Sequence, residues 1–324
     1  MDPINQYTMR KTLLALSALL ALSAAAQSEG GLWLGADASY DITSRLGAEL
    51  EVGTRLENDF SRVTRYDAAL GLQYRLARWI KVGAGYDFIG DYNGSRELDV
   101  VYKKDSNSPD GIRYDSNGNP VVNGYNQDAA FWRPKHRAYF DITGKWRVGR
   151  FSLSLRERYQ FTHYAPKTGV VSKYREELEA EDLDGYTQPY IGPFTDAYGD
   201  DYYYGLDRLD DKKGKSKQYL RQRVGVEYNI RRCPVTPFAS YEIANDLGND
   251  FSLVRQRVSA GIDWNLTANK RHALSLSYIY QRGAHEEAGS DDMHILSVGY
   301  KLSLESPRAQ REKKAAKKAR KAKK

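Results

Sequence analysis

Apolar and polar residues alternate along much of the chain. The clearest case is the segment 46–57, in which Leu46, Ala48, Leu50, Val52, Thr54 and Leu56 interleave with glycine, glutamate and arginine. A period of two places the two sets on opposite faces of a β-strand. Most such segments reach the ~9–11 residues that a tilted strand needs to cross a bilayer. We predict strands at 32–41, 45–57, 63–76, 79–92, 135–147, 151–164, 217–230, 235–244, 253–266, 271–282 and 293–304.

A series of alternating strands fits either a soluble sandwich or a membrane barrel, because alternation does not say which face is inside. Three features favour an all-β, antiparallel transmembrane barrel of the outer membrane, with 10–12 strands. The polar faces carry arginine together with aspartate or glutamate, the connections largely alternate between short and long, and aromatic residues cluster at the ends of the apolar faces. These features are typical of bacterial barrels with polar interiors and apolar exteriors.

The connection lengths also predict an orientation. The connections 77–78, 148–150, 231–234 and 267–270 are short, and those at 93–134, 165–216, 245–252 and 283–292 are longer. Bacterial barrels have short periplasmic turns and longer extracellular loops, so we expect the C-terminus in the periplasm of a Gram-negative bacterium. The eleven predicted strands conflict with the even number expected of such barrels, and either a strand is missed, or residues 32–57 are divided wrongly, or the first strand is irregular.

The polar faces predict a charged lumen. In a barrel of this size side chains can fill the interior, whereas ~16–18 strands leave an aqueous channel. The charges can therefore pair and plug the lumen, or they can leave a slender path that favours small anions. The residues predicted to face inward are Glu49, Glu51, Arg55, Arg65, Asp67, Arg75, Asp87, Arg137, Asp141, Arg156, Arg158, Arg221, Arg223, Glu227, Glu242, Arg257 and Asp263.

Aromatic residues at both ends of the apolar faces predict two interfacial girdles, where amphipathic rings anchor a membrane protein. Tyr74, Trp146, Phe151, Tyr228 and Trp264 fall near the short connections, and Tyr66, Phe88, Phe161, Tyr278 and Tyr280 fall towards the other end.

The two ends of the chain differ from the barrel segment. Residues 1–8 are interpreted as an upstream extension or a mis-assigned start, and residues 9–26 as a secretory signal, with a basic start, a short apolar stretch and small residues before Gln27. The barrel is predicted over 27–304. The tail 305–324 is rich in lysine and alanine; such a run is disordered alone but can form a helix on an anionic surface. Outer-membrane lipids and the barrel-assembly machinery are the expected partners, anionic headgroups or the cell-wall polymer could bind the tail, and no nucleic acid is expected.

No cofactor, metal site or catalytic residue is predicted. The single cysteine, Cys233, excludes zinc–thiolate sites and CxxC redox chemistry. His136 and His163 lie near the outer ends of neighbouring strands, so a lipid-modifying enzyme with a rim site is geometrically possible, although no serine in a recognisable nucleophile context accompanies them. The 165–216 connection, rich in tyrosine and aspartate, could instead act as a lid or bind glycans as an adhesin. The 93–134 connection contains hairpin-turn dipeptides and predicts a β-ribbon. We expect a structural envelope protein or narrow pore without enzymatic activity.

Several short segments carry a family resemblance over roughly residues 30–304. They are Leu32-Trp33-Leu34-Gly35, Thr54-Arg55-Leu56, Arg65-Tyr66, Val82-Gly83-Ala84-Gly85-Tyr86, Arg133-Pro134-Lys135-His136-Arg137 and Arg156-Glu157-Arg158-Tyr159-Gln160. The chain resembles a family of outer-membrane barrels classified only as a domain of unknown function. This resemblance implies the fold and the location but no activity, and the basic tail departs from it.

Overall fold

A computed structural model describes residues 29–176, 191–195, 201–283 and 292–321. The predicted signal segment and the upstream extension lie outside the described residues. The strands are β1 (Glu29–Asp41), β2 (Leu46–Glu57), β3 (Arg62–Arg75), β4 (Ile80–Asn93), β5 (Arg96–Tyr102), β6 (Val122–Asp128), β7 (Phe131–Val148), β8 (Phe151–Tyr164), β9 (Lys167–Arg175), β10 (Ile191–Thr195), β11 (Asp201–Lys212), β12 (Lys215–Tyr228), β13 (Val235–Asp246), β14 (Ser252–Asn265), β15 (His272–Arg282) and β16 (Asp292–Glu305). A helix, α1 (Pro307–Lys321), follows β16.

Eleven strands form a closed barrel in the order β1-β16-β15-β14-β13-β12-β8-β7-β4-β3-β2. Ten of its junctions join antiparallel neighbours along the meander, whereas β1 and β16 pair in parallel, with Leu34 opposite Val298. An odd number of strands that alternate in direction can close only through one parallel pair. The predicted strand count was therefore correct, and the expectation of an even number was wrong because the first and last strands run in the same direction.

Alternation divides the barrel wall into an apolar exterior and an ionic interior. Leu70 and Val148 are 61% and 63% exposed on the outer face, whereas the interior residues Asp141 and Glu242 are each 6% exposed. An outer surface of this kind matches hydrocarbon and would be costly in water. This arrangement confirms the prediction of a transmembrane barrel with its charged faces inside.

Short turns join the strands at one end of the barrel, which we call the short-turn end. Its turns are 42–45, 76–79, 149–150, 229–234 and 266–271. The two-residue turn between β7 and β8 places Gly149 at φ +60°, a conformation that glycine adopts without steric cost and that matches the twist of a hairpin. β16 ends here, and so does β1, because the two strands are parallel.

The chain divides into two compact units, and the second consists of Tyr92–Arg133 and Ala165–Lys215. Within it, five strands form a sheet in the order β10-β11-β9-β6-β5. The β-ribbon predicted for 93–134 corresponds to the antiparallel pair β5–β6. The treatment of 165–216 as a loop without strands was wrong, because β9 and β11 pair along Lys167–Arg175. Arg175, 2% exposed, donates hydrogen bonds to the carbonyl oxygens of Tyr125 and Tyr174.

The basic tail forms α1, which is attached to the barrel at the short-turn end. Ser306 caps the helix: its Oγ accepts a hydrogen bond from the Ala309 amide at 3.0 Å and donates one to the Ile42 carbonyl at 2.7 Å. The Glu312 carboxylate accepts a hydrogen bond from the Ser44 amide at 2.9 Å. The sequence predicted a tail that is disordered alone, and the contacts of Ser306 and Glu312 with the barrel explain why the tail is helical here. In the described part of the chain, no helix is both long and apolar enough to cross a membrane.

Candidate functional site

The barrel interior is the candidate site. The strand register places all seventeen residues predicted to face the lumen on the same face of the wall. That face is the interior, because the guanidinium carbon of Arg257 on β14 lies 4.7 Å from the ring centroid of Trp33 on β1. The two strands are separated by β15 and β16 in the wall, so the contact crosses the lumen.

An arginine cluster surrounds Glu242 on β13. The Glu242 carboxylate accepts hydrogen bonds from Arg221 and from Arg156, the latter at 3.1 Å, and lies 3.7 Å from a terminal nitrogen of Arg257. Arg255, which sequence reasoning missed, lies on the same face of β14 as Arg257. It could have been found, because it precedes Arg257 by two residues. The cluster is strongly cationic, since one carboxylate serves several guanidinium groups.

Trp33 forms the second part of the interior and was not predicted. Two arginines stack on its indole: the guanidinium carbon of Arg55 is 4.0 Å from the ring centroid, and that of Arg257 is 4.7 Å away. Such cation–π contacts hold the charged groups against the ring. An apolar cluster of Ile279, Met293 and Ile295 packs beside Trp33, with Met293 1% and Ile295 0% exposed. The lumen is therefore occupied by side chains at this level.

Further ion pairs line the interior wall. Asp91 contacts Lys135 and lies 3.8 Å from Arg65, and Asp87 accepts a hydrogen bond from Arg137 at 3.2 Å. Other pairs are Arg65–Asp67 at 3.3 Å, Arg158–Asp141 at 2.6 Å, Lys145–Glu227 at 2.7 Å and Lys301–Asp263 at 2.8 Å. Lys301 and Lys145 were not among the predicted residues.

Tyr139 also reaches into the interior, and glycine makes room for it. A Cβ atom at Gly71 would lie 2.6 Å from the Tyr139 hydroxyl, and one at Gly85 would approach the same hydroxyl even more closely. Arg158 stacks on the Tyr139 ring at 4.0 Å. These glycines leave room for the Tyr139 side chain over the neighbouring strands β4 and β3.

The interior retains space beside β1, β2 and β16. A cavity of 260 Å³ is lined by Asp37, Glu49, Glu51, Lys301 and the serines Ser39 and Ser303. Four of its six polar lining residues are ionisable, and three of these are acidic. The lumen therefore combines an acidic cavity with the arginine-rich level at Trp33.

The model of one protein family matches residues 30–293, and the family is described as "Protein of unknown function (DUF2490)". The chain belongs to the DUF2490 family. The match spans the barrel strands from β1 to the start of β16, in agreement with the resemblance seen in the sequence. A comparison with curated proteins gives no match.

Three solved structures resemble this DUF2490 protein at low identity. A NanC porin structure shares 12% identity over 86% of this chain and 98% of its own, with a TM-score of 0.40. The outer-membrane expressed OmpT of Vibrio cholerae shares 11% identity over 74% of this chain and 54% of its own, with a TM-score of 0.29. The CymD monoaromatic hydrocarbon channel shares 9% identity over 82% of this chain and 86% of its own, with a TM-score of 0.28.

The ten predicted girdle residues of the DUF2490 barrel lie on its outer face by register. The Phe151 and Tyr228 rings lie 4.9 Å apart, and Trp146 stacks with Trp79 at 6.0 Å. Trp79, 50% exposed, was not among the predicted girdle residues; it belongs to the predicted strand 79–92 but lies in the turn between β3 and β4. The girdle assignment stays a prediction.

The two rim histidines lie opposite each other on β7 and β8, on the outer face. His136 Nδ1 is 2.6 Å from the hydroxyl of Tyr86, and His163 Nδ1 is 3.0 Å from Ser216 Oγ. Sequence reasoning found no serine for this site, because Ser216 is distant in sequence and β12 brings it next to β8. Among the described residues, no group of three or more histidine, cysteine, aspartate or glutamate side chains is placed to hold a metal ion.

The 165–216 connection could bind glycans through its aromatic residues, and most of these lie outside the described side chains. Tyr186, Tyr190 and Tyr198 fall outside the described residues, and Phe194 and Tyr202 are described only by their place in β10 and β11.

Proposed function

We propose that this barrel is a narrow outer-membrane pore without enzymatic activity, whose arginine-lined lumen favours small anions and narrows at Trp33. The carrying observation is the cluster of Arg156, Arg221 and Arg257 around the single carboxylate of Glu242. Rings of basic side chains in a pore select by charge. The low dielectric of the wall strengthens their field.

The contact of Trp33 with Arg55 and Arg257 supports a constriction rather than a wide channel. A pore of this type would conduct slowly or only when the indole moves, because the aromatic ring and two guanidinium groups occupy the same cross-section. A solute small enough to pass would exchange its hydration for contacts with arginine side chains.

Planar-bilayer recording tests this proposal. We expect Trp33→Ala to raise the single-channel conductance several-fold, and the reversal potential in a salt gradient to report a preference for anions. Trp264→Ala is a matched control, because Trp264 is 45% exposed on the outer face and its removal should leave the conductance unchanged. A cation preference would contradict the proposed anion selectivity, and silence of both the wild type and a folded Trp33→Ala variant would contradict a pore.

The proposal includes an orientation with the short-turn end and α1 in the periplasm. The alternation of short and long connections supports it. The exposed side chains Arg311 and Lys314 of α1 would then lie near the inner leaflet, where each cation near an anionic surface contributes about 1 kcal/mol. Contact with anionic headgroups is therefore part of the proposal.

A second candidate function rests on the hydrogen-bonding distance between His163 and Ser216 on the outer face. Here Ser216 Oγ would attack an ester carbonyl of a membrane lipid while His163 takes the hydroxyl proton, and the histidine would return that proton to the leaving alcohol. Water would then release the acyl group from the serine. Labelling by a fluorophosphonate that is lost in Ser216→Ala but kept in Ser152→Ala would support it, and an unlabelled, folded wild type would reject it.

A further inference from the structure

A polar pair lies in the middle of the apolar outer wall. Glu157 on β8 and Gln222 on β12 have outward strand parity, and Gln222 Nε2 donates a hydrogen bond to Glu157 Oε1 at 3.2 Å. Their outward neighbours along the strands are apolar, with Leu155 41% and Val224 56% exposed. The pair is thus set within the band that faces hydrocarbon.

The depth of Glu157 is fixed by the girdles on its own strand. Phe151 lies at the short-turn end of β8 and Phe161 near its other end, both on the outer face. Glu157 is near the midpoint between them. A carboxyl group at this depth is among the costliest groups to leave against lipid, and intramembrane ionisable residues therefore face protein or water.

Gln222 alone does not satisfy the carboxyl group. A carboxylate offers about four acceptor sites, and Gln222 supplies the one hydrogen bond recorded for this carboxyl group within the described residues. The second amide proton of Gln222 likewise remains for another acceptor. The pair therefore offers both an acceptor and a donor towards the membrane.

Two further polar contacts of the outer face lie on the same two strands and on the next two strands along the wall. Beside Glu157 and Gln222, the Tyr159 hydroxyl donates to Gln218 at 2.8 Å, and the Tyr241 hydroxyl donates to Gln256 at 3.0 Å. On β2 and β3 the corresponding outward positions are apolar, as at the facing pair Leu50 and Leu70. The wall is therefore asymmetric around its circumference.

We propose that the β8–β12 face of the barrel binds a second copy of this chain in the membrane, with Glu157 of each copy accepting a hydrogen bond from Gln222 of the other. A partner must present a polar group at the same depth of the bilayer. A second copy inserted in the same direction does so by symmetry, because a two-fold axis along the membrane normal keeps every residue at its depth. The acceptor Glu157 beside the donor Gln222 is also self-complementary across such an axis. Side-chain hydrogen bonds between transmembrane helices stabilise their association in lipid, and the same contact can act between barrels.

Disulfide cross-linking in isolated membranes tests this proposal. The native cysteine is first replaced by serine, and Val224→Cys is introduced on the proposed face. Leu70→Cys is the matched control, because Leu70 is 61% exposed on β3 and Val224 is 56% exposed on β12. We expect an oxidised homodimer with Val224→Cys and none with Leu70→Cys. A folded Val224→Cys protein that stays monomeric, equal cross-linking of both variants, or an adduct with a different protein would overturn the proposal.

The polar pair itself is tested by Glu157→Leu in the Val224→Cys background. Leucine is better solvated by hydrocarbon than glutamate, so the barrel should insert at least as well, and its heat-dependent migration in gels reports folding. We expect the dimer yield to fall about tenfold, because the substitution removes both symmetry-related hydrogen bonds of the interface. An unchanged yield with a folded barrel would overturn the role of Glu157.

Discussion

The Glu242→Gln substitution tests whether the arginine cluster depends on its one carboxylate. Glu242 is 6% exposed and accepts three hydrogen bonds, two from Arg221 and one from Arg156. Hydrogen bonds to charged groups contribute about 1.5–3 kcal/mol each, but the glutamine oxygen retains some of them in weaker form. The guanidinium groups of Arg156, Arg221 and Arg257 would then repel one another. We expect a loss of about 3–5 kcal/mol in the free energy of unfolding, the range for removing one partner of a buried ion pair.

Urea unfolding of the barrel from phospholipid vesicles, followed by tryptophan fluorescence, measures this loss. The matched control is Glu227→Gln in the same lumen. Glu227 pairs with Lys145 at 2.7 Å, but their side chains are 41% and 51% exposed. A pair in contact with water contributes about 0–1 kcal/mol, so the control should unfold almost like the wild type.

The result that would refute this reasoning is an equal loss in the two variants. It would mean that water reaches the arginine cluster as freely as it reaches Glu227, so that the lumen is open at both levels. A stabilised Glu242→Gln variant would refute it more strongly, because the cluster would then not require a counter-charge.

Three further outcomes follow from the described contacts. With the native cysteine replaced by serine, a cysteine at Asp59 should react with a membrane-impermeant maleimide added to intact cells, and one at Ser44 should not, whereas the reverse pattern would invert the proposed orientation. A cysteine pair at Leu34 and Val298 should form an intramolecular disulfide, because these residues are directly opposite in the parallel seam, and its absence on gels would contradict the seam. Hydrogen bonds from the Ser44 amide and Arg308 lower the pKa of Glu312 to about 2. Because this pKa is lowered, the Glu312 carboxylate stabilises the docked helix α1 above its ordinary pKa near 4.5, and this stabilisation is lost as the pH falls towards 2. Limited proteolysis with an acid-active protease should therefore cut the tail faster at pH 3 than at pH 7, and an equal rate would contradict this prediction.

Alternation predicted the strands and their two faces, whereas the paired charges, the connection lengths and the positions of the aromatic residues predicted the barrel. Along β2, Leu50 and Glu51 point to opposite sides, and the same period assigns the faces of the ten other barrel strands. Sequence patterns reveal faces but not neighbours across a lumen, because the distance between β1 and β14 depends on closure. Trp33 therefore went unnoticed, although Asp37 and other inward residues of β1 share its parity.

Contacts on the outer face between residues that are far apart in sequence could not be predicted either. His163 and Ser216 lie far apart in sequence, and only the pairing of β8 with β12 brings them to 3.0 Å. The alternation of β8 places Glu157 on the outward face, but sequence reasoning assigned a role only to the inward arginines on either side of it, Arg156 and Arg158. The signal for such a position is an ionisable residue on the strand face whose other residues are apolar.

The parallel seam and the constriction have a common origin in β1. Without β1, the wall would contain ten strands, and its free edges, β2 and β16, would run antiparallel, as in a barrel with an even number of strands. β1 is therefore the strand that makes the number odd, and it also carries Trp33, on which Arg55 and Arg257 stack. The apolar residues packed beside Trp33 include Met293 and Ile295 of β16, its parallel neighbour. The parallel junction thus contributes Trp33, Met293 and Ile295 to the lumen, so whatever stabilises that junction also holds the indole in place between Arg55 and Arg257.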